Sequence, residues 1–301
     1  MAYRSRFGGL WTDRSDAQEV LARKHCDGAV TDQEAEHLAK WIDDGYVVLR
    51  SAIDTGLAEA VLRDIERAYR GELGLLFREI VSAGGIALVP IGERYGAETD
   101  LRDCKLIDLY VRSKAALDTV LHKTTVRFLN LIFEKPALVF QSLYFEYGSQ
   151  QPGHQDSAYV PLSSPMQLAA SWSALEDIRP GSGELFVYPK SQTIPEFLFE
   201  GRYKNQPTGS SESRLYTEHL VNQVALASFP ETKFEAAAGD VLIWAADTVH
   251  GGSKITDPAA TRQSLVAHYC PIDVRPQYFD EACTVRKYTE EAAYTFAERG
   301  Y

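Results

Sequence analysis

In the first half of the chain, apolar residues recur with the spacing of helices. Leu38, Trp41 and Ile42 lie three and four positions apart and therefore share one face of a helix. Thr31 followed by Glu34 is a capping box that marks the start of this helix. We expect the helices to pack on the outside of a sheet and to support it. The predicted elements are helices at 17–26, 32–43, 55–69 and 113–133, the last as one or two helices, and a strand at 46–50.

In the second half the pattern changes to that of strands separated by turns rich in Gly, Pro and Ser. Helices followed by many strands predict an α+β chain. We expect its core to be a double-stranded β-helix, a jelly roll of the cupin kind, with the N-terminal helices packed outside. The predicted strands lie within residues 137–147, 166–178, 183–189, 240–246 and 264–272.

The same patterns predict a single domain over residues 1–301. Residues 191–235 are rich in polar residues and too long for a turn, so we expect either a lid over a cavity or a surface loop. Residues 71–105, with glycines between short apolar and charged pieces, are predicted as loops or a mobile flap. The expected parts are helical support over 1–135, a jelly-roll core over 136–275 and a C-terminal tail over 276–301.

The chemistry centres on His154 and Asp156, which follow the strand predicted at 137–147. In an extended segment, residues i and i+2 point to the same side, so both side chains can reach one metal ion. The tripeptide alone is common by chance. A third ligand, the imidazole of His250, follows the apolar run at 240–246. Two histidines and one carboxylate with open positions form the pattern of non-haem Fe(II) oxygenases.

Arg262 lies twelve residues after His250, where the next strand begins. Its guanidinium group can bind a carboxylate through two parallel hydrogen bonds. A dicarboxylic cosubstrate that chelates iron through its keto-acid end and binds Arg262 through its far carboxylate would use all four residues. That cosubstrate is 2-oxoglutarate.

The sequence resembles the phytanoyl-CoA dioxygenase family of Fe(II)- and 2-oxoglutarate-dependent oxygenases over nearly its whole length. The resemblance implies that His154, Asp156 and His250 bind iron and that Arg262 binds the cosubstrate carboxylate. Halogenating relatives replace the carboxylate by a small residue, so Asp156 argues against halogenation. The matching segments are residues 44–69, 148–160, 171–192 and 239–253, followed by Arg262.

The resemblance also implies roles for residues around the cosubstrate. Trp172 matches a tryptophan that flanks the 2-oxoglutarate pocket, Ser253 a serine that assists the arginine, and Gln141 a cosubstrate neighbour. Tyr159 is expected on the substrate side or in the core, and Lys105 either near the cosubstrate or at the surface. One departure is the Pro-Lys-Ser-Gln sequence at residues 189–192, where the family usually has a PGSH-like end.

Two other histidines compete as ligands. His219 lies within the polar insert, and His268 lies within a strand, where an imidazole is more often a packed core residue. Neither has a carboxylate two positions on. The four cysteines are widely spaced without a CxxC pair, so we expect them to be reduced and give them no role.

The function implied is a dioxygenase that uses Fe(II), 2-oxoglutarate and O2 to oxidise a C–H bond of a small organic molecule or natural product. Hydroxylation is expected, with succinate and CO2 released; desaturation, epimerisation, cyclisation and endoperoxide formation need the same triad. The alternative is a cupin-like metalloenzyme, a 2-oxoglutarate-independent dioxygenase or an isomerase, in which Arg262 binds substrate.

Composition limits the partners. The chain has 301 residues, a formal net charge of −11, 45% hydrophobic and 24% charged residues. This composition is ordinary for a globular protein, and the negative charge argues against nucleic-acid and anionic-membrane partners. The N-terminus lacks the apolar stretch of a signal peptide, and no run approaches the about eighteen apolar residues of a membrane span. We expect a cytoplasmic enzyme; its oligomeric state is not predicted.

Overall fold

The helices begin and end where local side-chain chemistry directs them to. In the computed structural model, the Thr31 hydroxyl accepts a hydrogen bond from the Glu34 N–H, and the Glu34 carboxylate accepts one from the Thr31 N–H, which confirms the capping box. Asp54 caps the next helix by accepting from the Leu57 N–H. The structure describes residues 2–74, 76–81, 85–90, 104–277 and 283–297. The α-helices of these residues are α1 Ala17–Cys26, α2 Asp32–Asp44, α3 Thr55–Tyr69, α4 Lys114–Val120, α5 Lys123–Phe133 and α6 Ser213–Ala227.

The strands form two sheets. The large sheet has the order β1-β9-β6-β11-β5-β4-β2-β3, and the small sheet the order β10-β7-β8. Leu185 and Phe234 of the small sheet pack in one apolar cluster with Trp172 and Leu242 of the large sheet, which confirms the predicted double-stranded β-helix. The strands are β1 Tyr46–Leu49, β2 Leu76–Val81, β3 Gly85–Pro90, β4 Cys104–Ile107, β5 Ala137–Phe145, β6 Ala169–Ala174, β7 Leu185–Val187, β8 Thr232–Phe234, β9 Val241–Ala245, β10 His250–Gly252, β11 Ser264–Pro271, β12 Cys283–Lys287 and β13 Ala292–Ala297.

The other face of the large sheet carries the helices. Trp41 of α2 and Val61 of α3 are buried in the same cluster as Val139 of β5 and Leu265 of β11. The helices therefore support the sheet from outside, as their periodicity predicts. Among the described residues, no helix is both long and apolar enough to cross a membrane.

Gly45 joins helix α2 to strand β1 in the left-handed region, with φ of 78°. A side chain there would place Cβ 2.5 Å from both Gln192 Oε1 and Thr248 Oγ1. The Gly45 carbonyl accepts hydrogen bonds from the Ala245 N–H and the Thr248 hydroxyl. Two separate features thus require glycine at position 45, the backbone angle and the close approach of neighbouring side chains.

The segment 71–105 differs from the expectation of loops or a mobile flap. Strands β2 and β3 pair antiparallel, and β4 pairs with both β2 and β5, so they extend the large sheet. The local pattern failed because these short strands are specified by a partner elsewhere in the chain. Residues 75, 82–84 and 91–103 of the predicted flap lie outside the described residues. In the segment expected as a C-terminal tail, β12 and β13 form a hairpin, and β13 runs parallel to β5.

Candidate metal centre

A backbone pairing places the two predicted ligand histidines side by side. His154 and His250 form an antiparallel bridge: each N–H donates to the other's carbonyl, at 2.9 and 3.0 Å. Their ring centroids are 4.4 Å apart. Asp156 begins a short 3-10 turn two residues after His154. Residues almost a hundred positions apart therefore meet at one point.

The ligand atoms of these three residues form a cluster suited to one ion. Asp156 Oδ1 lies 3.7 Å from His154 Nε2 and 3.6 Å from His250 Nε2, and the three ligand atoms lie within 4.8 Å of one another. His154 Nδ1 is 3.0 Å from the Pro152 carbonyl, and His250 Nδ1 is 3.0 Å from the Thr248 carbonyl. A carbonyl only accepts, so each Nδ1 carries the proton and each Nε2 has a free lone pair. This donor set fits Fe(II).

Burial and the neighbouring side chains together set the charges of the cluster. Burial, helped by the neighbouring His250, lowers the pKa of His154 to about 4. Burial also lowers the pKa of His250. Burial alone would raise the pKa of the Asp156 carboxyl, but the neighbouring imidazoles, above all that of His250, hold it well below its ordinary value. At neutral pH the imidazoles are neutral and the carboxylate is ionised, as metal ligation requires.

The second oxygen of Asp156 contacts two residues, Trp244, which has no role predicted from the sequence, and His268, which enters the sequence analysis only as a competing ligand. The indole N–H of Trp244 donates to Oδ2 at 2.8 Å, and His268 Nε2 lies 3.5 Å from the same oxygen. His268 is buried and stacked on Phe140, as expected for a core residue, but it also lines the cavity. The available signal was its position six residues after Arg262, an even spacing that keeps both on one face of a strand.

The metal cluster opens into a cavity of about 980 Å3 that also contains Arg262. This side chain is 2% exposed, and its guanidinium group lies 5.3 Å from the Phe145 ring centroid and 5.6 Å from that of Trp172. Its Nε has no hydrogen-bond partner, and within the described part of the chain it forms no ion pair. Burial lowers its pKa to about 10, so it remains charged at neutral pH. The nearby buried carboxylate of Glu184 favours the charged form, but it forms no ion pair with Arg262. A ligand carboxylate in direct contact would therefore satisfy the guanidinium group.

The remaining predicted residues take different positions. Trp172 is fully buried beside Arg262, and Gln141 lines the cavity wall opposite His268 in the pairing of β5 with β11. Ser253 is buried with its hydroxyl unpartnered, but it is absent from the described wall residues, so its role stays a prediction. Lys105 does line the cavity, and its Nζ lies 5.1 Å from the Phe145 ring centroid.

Tyr159 and Gln151 lie on the metal side of the cavity. Tyr159 is 45% exposed, and its ring centroid is 5.8 Å from that of His154 and 6.0 Å from that of Tyr216. Gln151 Nε2 is 3.3 Å from His154 Nε2, the nitrogen that would bind iron. Sequence reasoning missed Gln151, because only the folded loop turns its amide toward the ligand.

The polar insert is attached to the segment that carries Asp156. The Gln155 N–H donates to the Tyr216 hydroxyl at 2.9 Å, and the Asn205 amide donates to the Ser157 carbonyl at 2.6 Å. His219 lies away from the metal cluster, with its Nε2 2.7 Å from the Pro195 carbonyl. The insert is thus neither a surface loop without contacts nor a source of a fourth imidazole.

A buried ion pair adds to this attachment. Lys204 of the insert lies 2.7 Å from Asp247 and 3.4 Å from Glu196, and Asp247 also accepts a hydrogen bond from the Ser157 hydroxyl. Ser157 directly follows Asp156. Through Lys204 and Asp247 the insert therefore holds the backbone on both sides of the metal cluster.

The double-stranded β-helix, the His-Asp-His cluster and the buried arginine define a class, the non-haem iron- and 2-oxoglutarate-dependent enzymes. The sequence profile of the phytanoyl-CoA dioxygenase family (PhyH) matches residues 41–263. The chain belongs to this family, and it is an enzyme that depends on iron and 2-oxoglutarate. No curated protein matches the sequence.

Solved structures with the same fold include three whose described activities or ligands differ. SnoN, an α-ketoglutarate-dependent epimerase from nogalamycin biosynthesis, has 19% identity and a TM-score of 0.58 over 82% of this chain and 85% of that one. SnoK, a carbocyclase from the same biosynthesis, has 18% identity and a TM-score of 0.59 over 83% and 87%. EctD from S. alaskensis, with 2-oxoglutarate and 5-hydroxyectoine, has 14% identity and a TM-score of 0.56 over 82% and 78%.

Proposed function

We propose that the protein hydroxylates a C–H bond of a small organic molecule or natural product. The reaction converts substrate, O2 and 2-oxoglutarate into hydroxylated substrate, succinate and CO2, with one oxygen atom in the new hydroxyl and the other in succinate. The observation that carries the proposal is the shared cavity, in which the His-Asp-His cluster faces the same space as a buried arginine that forms no ion pair with any described carboxylate.

Each residue has a defined task in this proposal. His154, Asp156 and His250 would hold iron, with both imidazoles kept in the required tautomer by backbone carbonyls. Arg262 binds the far carboxylate of 2-oxoglutarate, and Trp172 beside it excludes water, which strengthens that ion pair. The chemistry supplied by iron and 2-oxoglutarate is the activation of O2 for oxidation of the substrate.

The substrate side is formed by residues on the other side of the cluster. Tyr159 presents an aromatic face next to His154, and its partial exposure leaves that face open to a ligand. Lys105 and Arg262 are the cationic side chains among the described wall residues. With Arg262 assigned to the cosubstrate, the described part of the wall has no basic cluster of the kind that the phosphates of coenzyme A would need, which favours a smaller substrate.

The type of reaction depends on how the substrate is held. An epimerase and a carbocyclase occur among the structures with this fold, so the fold accommodates outcomes other than hydroxylation. The position of the reacting C–H bond relative to the metal decides between them. The alternative without 2-oxoglutarate would assign Arg262 to the substrate, and it is disfavoured because the family depends on that cosubstrate.

The test is an anaerobic titration of the apo-protein with Fe(II) and then with 2-oxoglutarate. We expect the weak visible charge-transfer band of an iron chelate, followed by succinate when oxygen is admitted. Iron binding without the band and without succinate would contradict the proposal and favour the alternative. Candidate substrates are then ranked by the increase in succinate formation, and mass spectrometry of the product distinguishes an added oxygen from epimerisation or cyclisation.

A further inference from the structure

We propose that Trp244 and His268 are positioning residues that hold one oxygen of Asp156 away from the metal. The carboxylate then ligates iron through its other oxygen alone. This inference rests on the proposed function, since it concerns the arrangement of the same iron site.

The two oxygens of Asp156 have different surroundings. Oδ1 faces Nε2 of His154 and His250, at 3.7 and 3.6 Å. Oδ2 accepts the 2.8 Å hydrogen bond from the Trp244 indole and lies 3.5 Å from His268 Nε2. Oδ1 is therefore directed at the ligand nitrogens, and Oδ2 contacts two side chains of the large sheet.

The groups around Oδ2 are buried and held by neighbouring strands. Trp244 is 2% exposed and His268 is 5% exposed. Trp244 pairs with Ala170 from one side and His268 pairs with Ala170 from the other, so both lie on the same face of three adjacent strands. An indole N–H is only a donor and an ionised carboxylate only an acceptor, so Trp244 donates and Asp156 accepts in this contact.

The consequence concerns the number of open positions on iron. A carboxylate that bound through both oxygens would occupy a position that the facial triad leaves free for cosubstrate and O2. Engagement of Oδ2 by Trp244 and His268 keeps Asp156 as a ligand through Oδ1. Loss of either contact weakens the alignment of Oδ1 and releases Oδ2 to compete with 2-oxoglutarate.

The test uses Trp244→Phe, which removes the N–H donor and keeps an aromatic ring against His250, whose ring centroid lies 4.5 Å from that of Trp244. It is combined with His268→Leu and His268→Gln. The amide nitrogen of glutamine can take the place of the imidazole Nε2, so His268→Gln is the conservative variant. Trp41→Phe is the matched control, because the Trp41 indole donates to the Thr12 hydroxyl in a buried position on helix α2. The readouts are the anaerobic Fe(II) dissociation constant, the 2-oxoglutarate affinity from the chelate band, and Tm.

We expect Trp244→Phe and His268→Leu to weaken Fe(II) binding by roughly 10- to 100-fold, to weaken the chelate band further, and to leave the fold intact. His268→Gln should recover most of the loss, and Trp41→Phe should keep wild-type iron affinity whatever its Tm. The inference is overturned if Trp244→Phe and His268→Leu bind iron and 2-oxoglutarate within about twofold of wild type. It is also overturned if Trp41→Phe weakens iron binding equally. Failure of the proposed function gives a different result, because the wild-type protein itself would then show no chelate band.

Discussion

At the scale of single residues, each side chain of the cluster uses one atom for the fold and another for the metal. His154 and His250 donate through Nδ1 to backbone carbonyls, which leaves Nε2 for the ion. Asp156 uses Oδ2 toward Trp244 and Oδ1 toward the histidines. Arg262 is different, because its guanidinium group has no described carboxylate partner until a ligand supplies one.

Loss of one ligand should abolish iron-dependent turnover. His154→Ala and Asp156→Ala each remove one of three donor atoms that lie within 4.8 Å of one another. We expect neither variant to retain iron after anaerobic gel filtration, and no succinate to form. The control is His219→Ala, which removes an imidazole that contacts Pro195 on the insert. A ligand variant that keeps one iron per chain would contradict the assignment.

Replacement of Arg262 should separate stability from cosubstrate binding. Arg262→Met removes the desolvation cost of a buried cation and also its attraction to the Glu184 carboxylate, so the two effects oppose each other and the free energy of unfolding of the apo-protein should change little. Loss of a charge-assisted bond of about 1.5–3 kcal/mol should raise the KM for 2-oxoglutarate by roughly 10- to 100-fold. Urea unfolding and succinate kinetics measure the two effects, with the exposed Arg202→Met as control. An unchanged KM would show that Arg262 does not bind the cosubstrate.

At the scale of elements, the insert stabilises the metal site instead of lying apart from it. Helix α6 buries Tyr216 and Leu220 in a cluster with Ala158 and Val249, residues that lie close to the metal ligands in sequence. The same segment supplies Lys204, whose side chain is 3% exposed. The insert therefore packs behind the segments that carry the ligands, and none of its residues is among the described residues that line the cavity. The expectation that the insert opens and closes as a lid stays a prediction.

Removal of the buried lysine should destabilise the protein. Lys204→Met leaves Asp247 buried without its cation, and breaking a buried pair from one side typically costs about 3–5 kcal/mol. We expect a loss of this size in urea unfolding, together with weaker Fe(II) binding because Asp247 also holds Ser157 next to Asp156. In the control Arg214→Met, an exposed pair with Glu218 is lost, which should cost less than about 1 kcal/mol. Equal losses in both variants would contradict a supporting role for Lys204.

At the scale of the whole molecule, the core and the metal site are separate parts of one sheet. The larger apolar cluster lies between the helices and one face of the sheet, and the ligands and cavity lie on the other. No residue of the larger cluster is among the described residues that line the cavity, whereas the smaller cluster borders the site through Trp244, which donates to Asp156. Burial on the helix side therefore contributes to the free energy of folding without contact with the metal site.

Removal of metal should accordingly leave the fold in place. We expect the far-UV circular dichroism of protein treated with EDTA to match that of the iron-loaded protein. Fe(II) with 2-oxoglutarate should raise Tm, since a ligand at a hundred times its Kd adds about 2.7 kcal/mol to the free energy of unfolding. Loss of the far-UV signal on chelation would contradict the separation of core and site.

What the sequence by itself determined was the class of the protein and the identity of its main ligands. Helical periodicity, the capping box at Thr31 and alternating apolar strands are local features, and they predicted the helices and the jelly roll. The ordered set of His154, Asp156, His250 and Arg262 predicted the chemistry, because metal and carboxylate binding each require particular side-chain types at particular strand ends.

Only the tertiary structure decided what lies around those ligands. Strands β2 to β4 depend on partners elsewhere in the sheet, and local composition therefore indicated loops in their place. From sequence, Trp244 has no predicted role and His268 is expected in the core, and their contacts with Asp156 arise from the register of β9 and β11 on either side of β6. The ion pair of Lys204 with Asp247 joins distant segments. These features depend on long-range register, which periodicity within one segment does not encode.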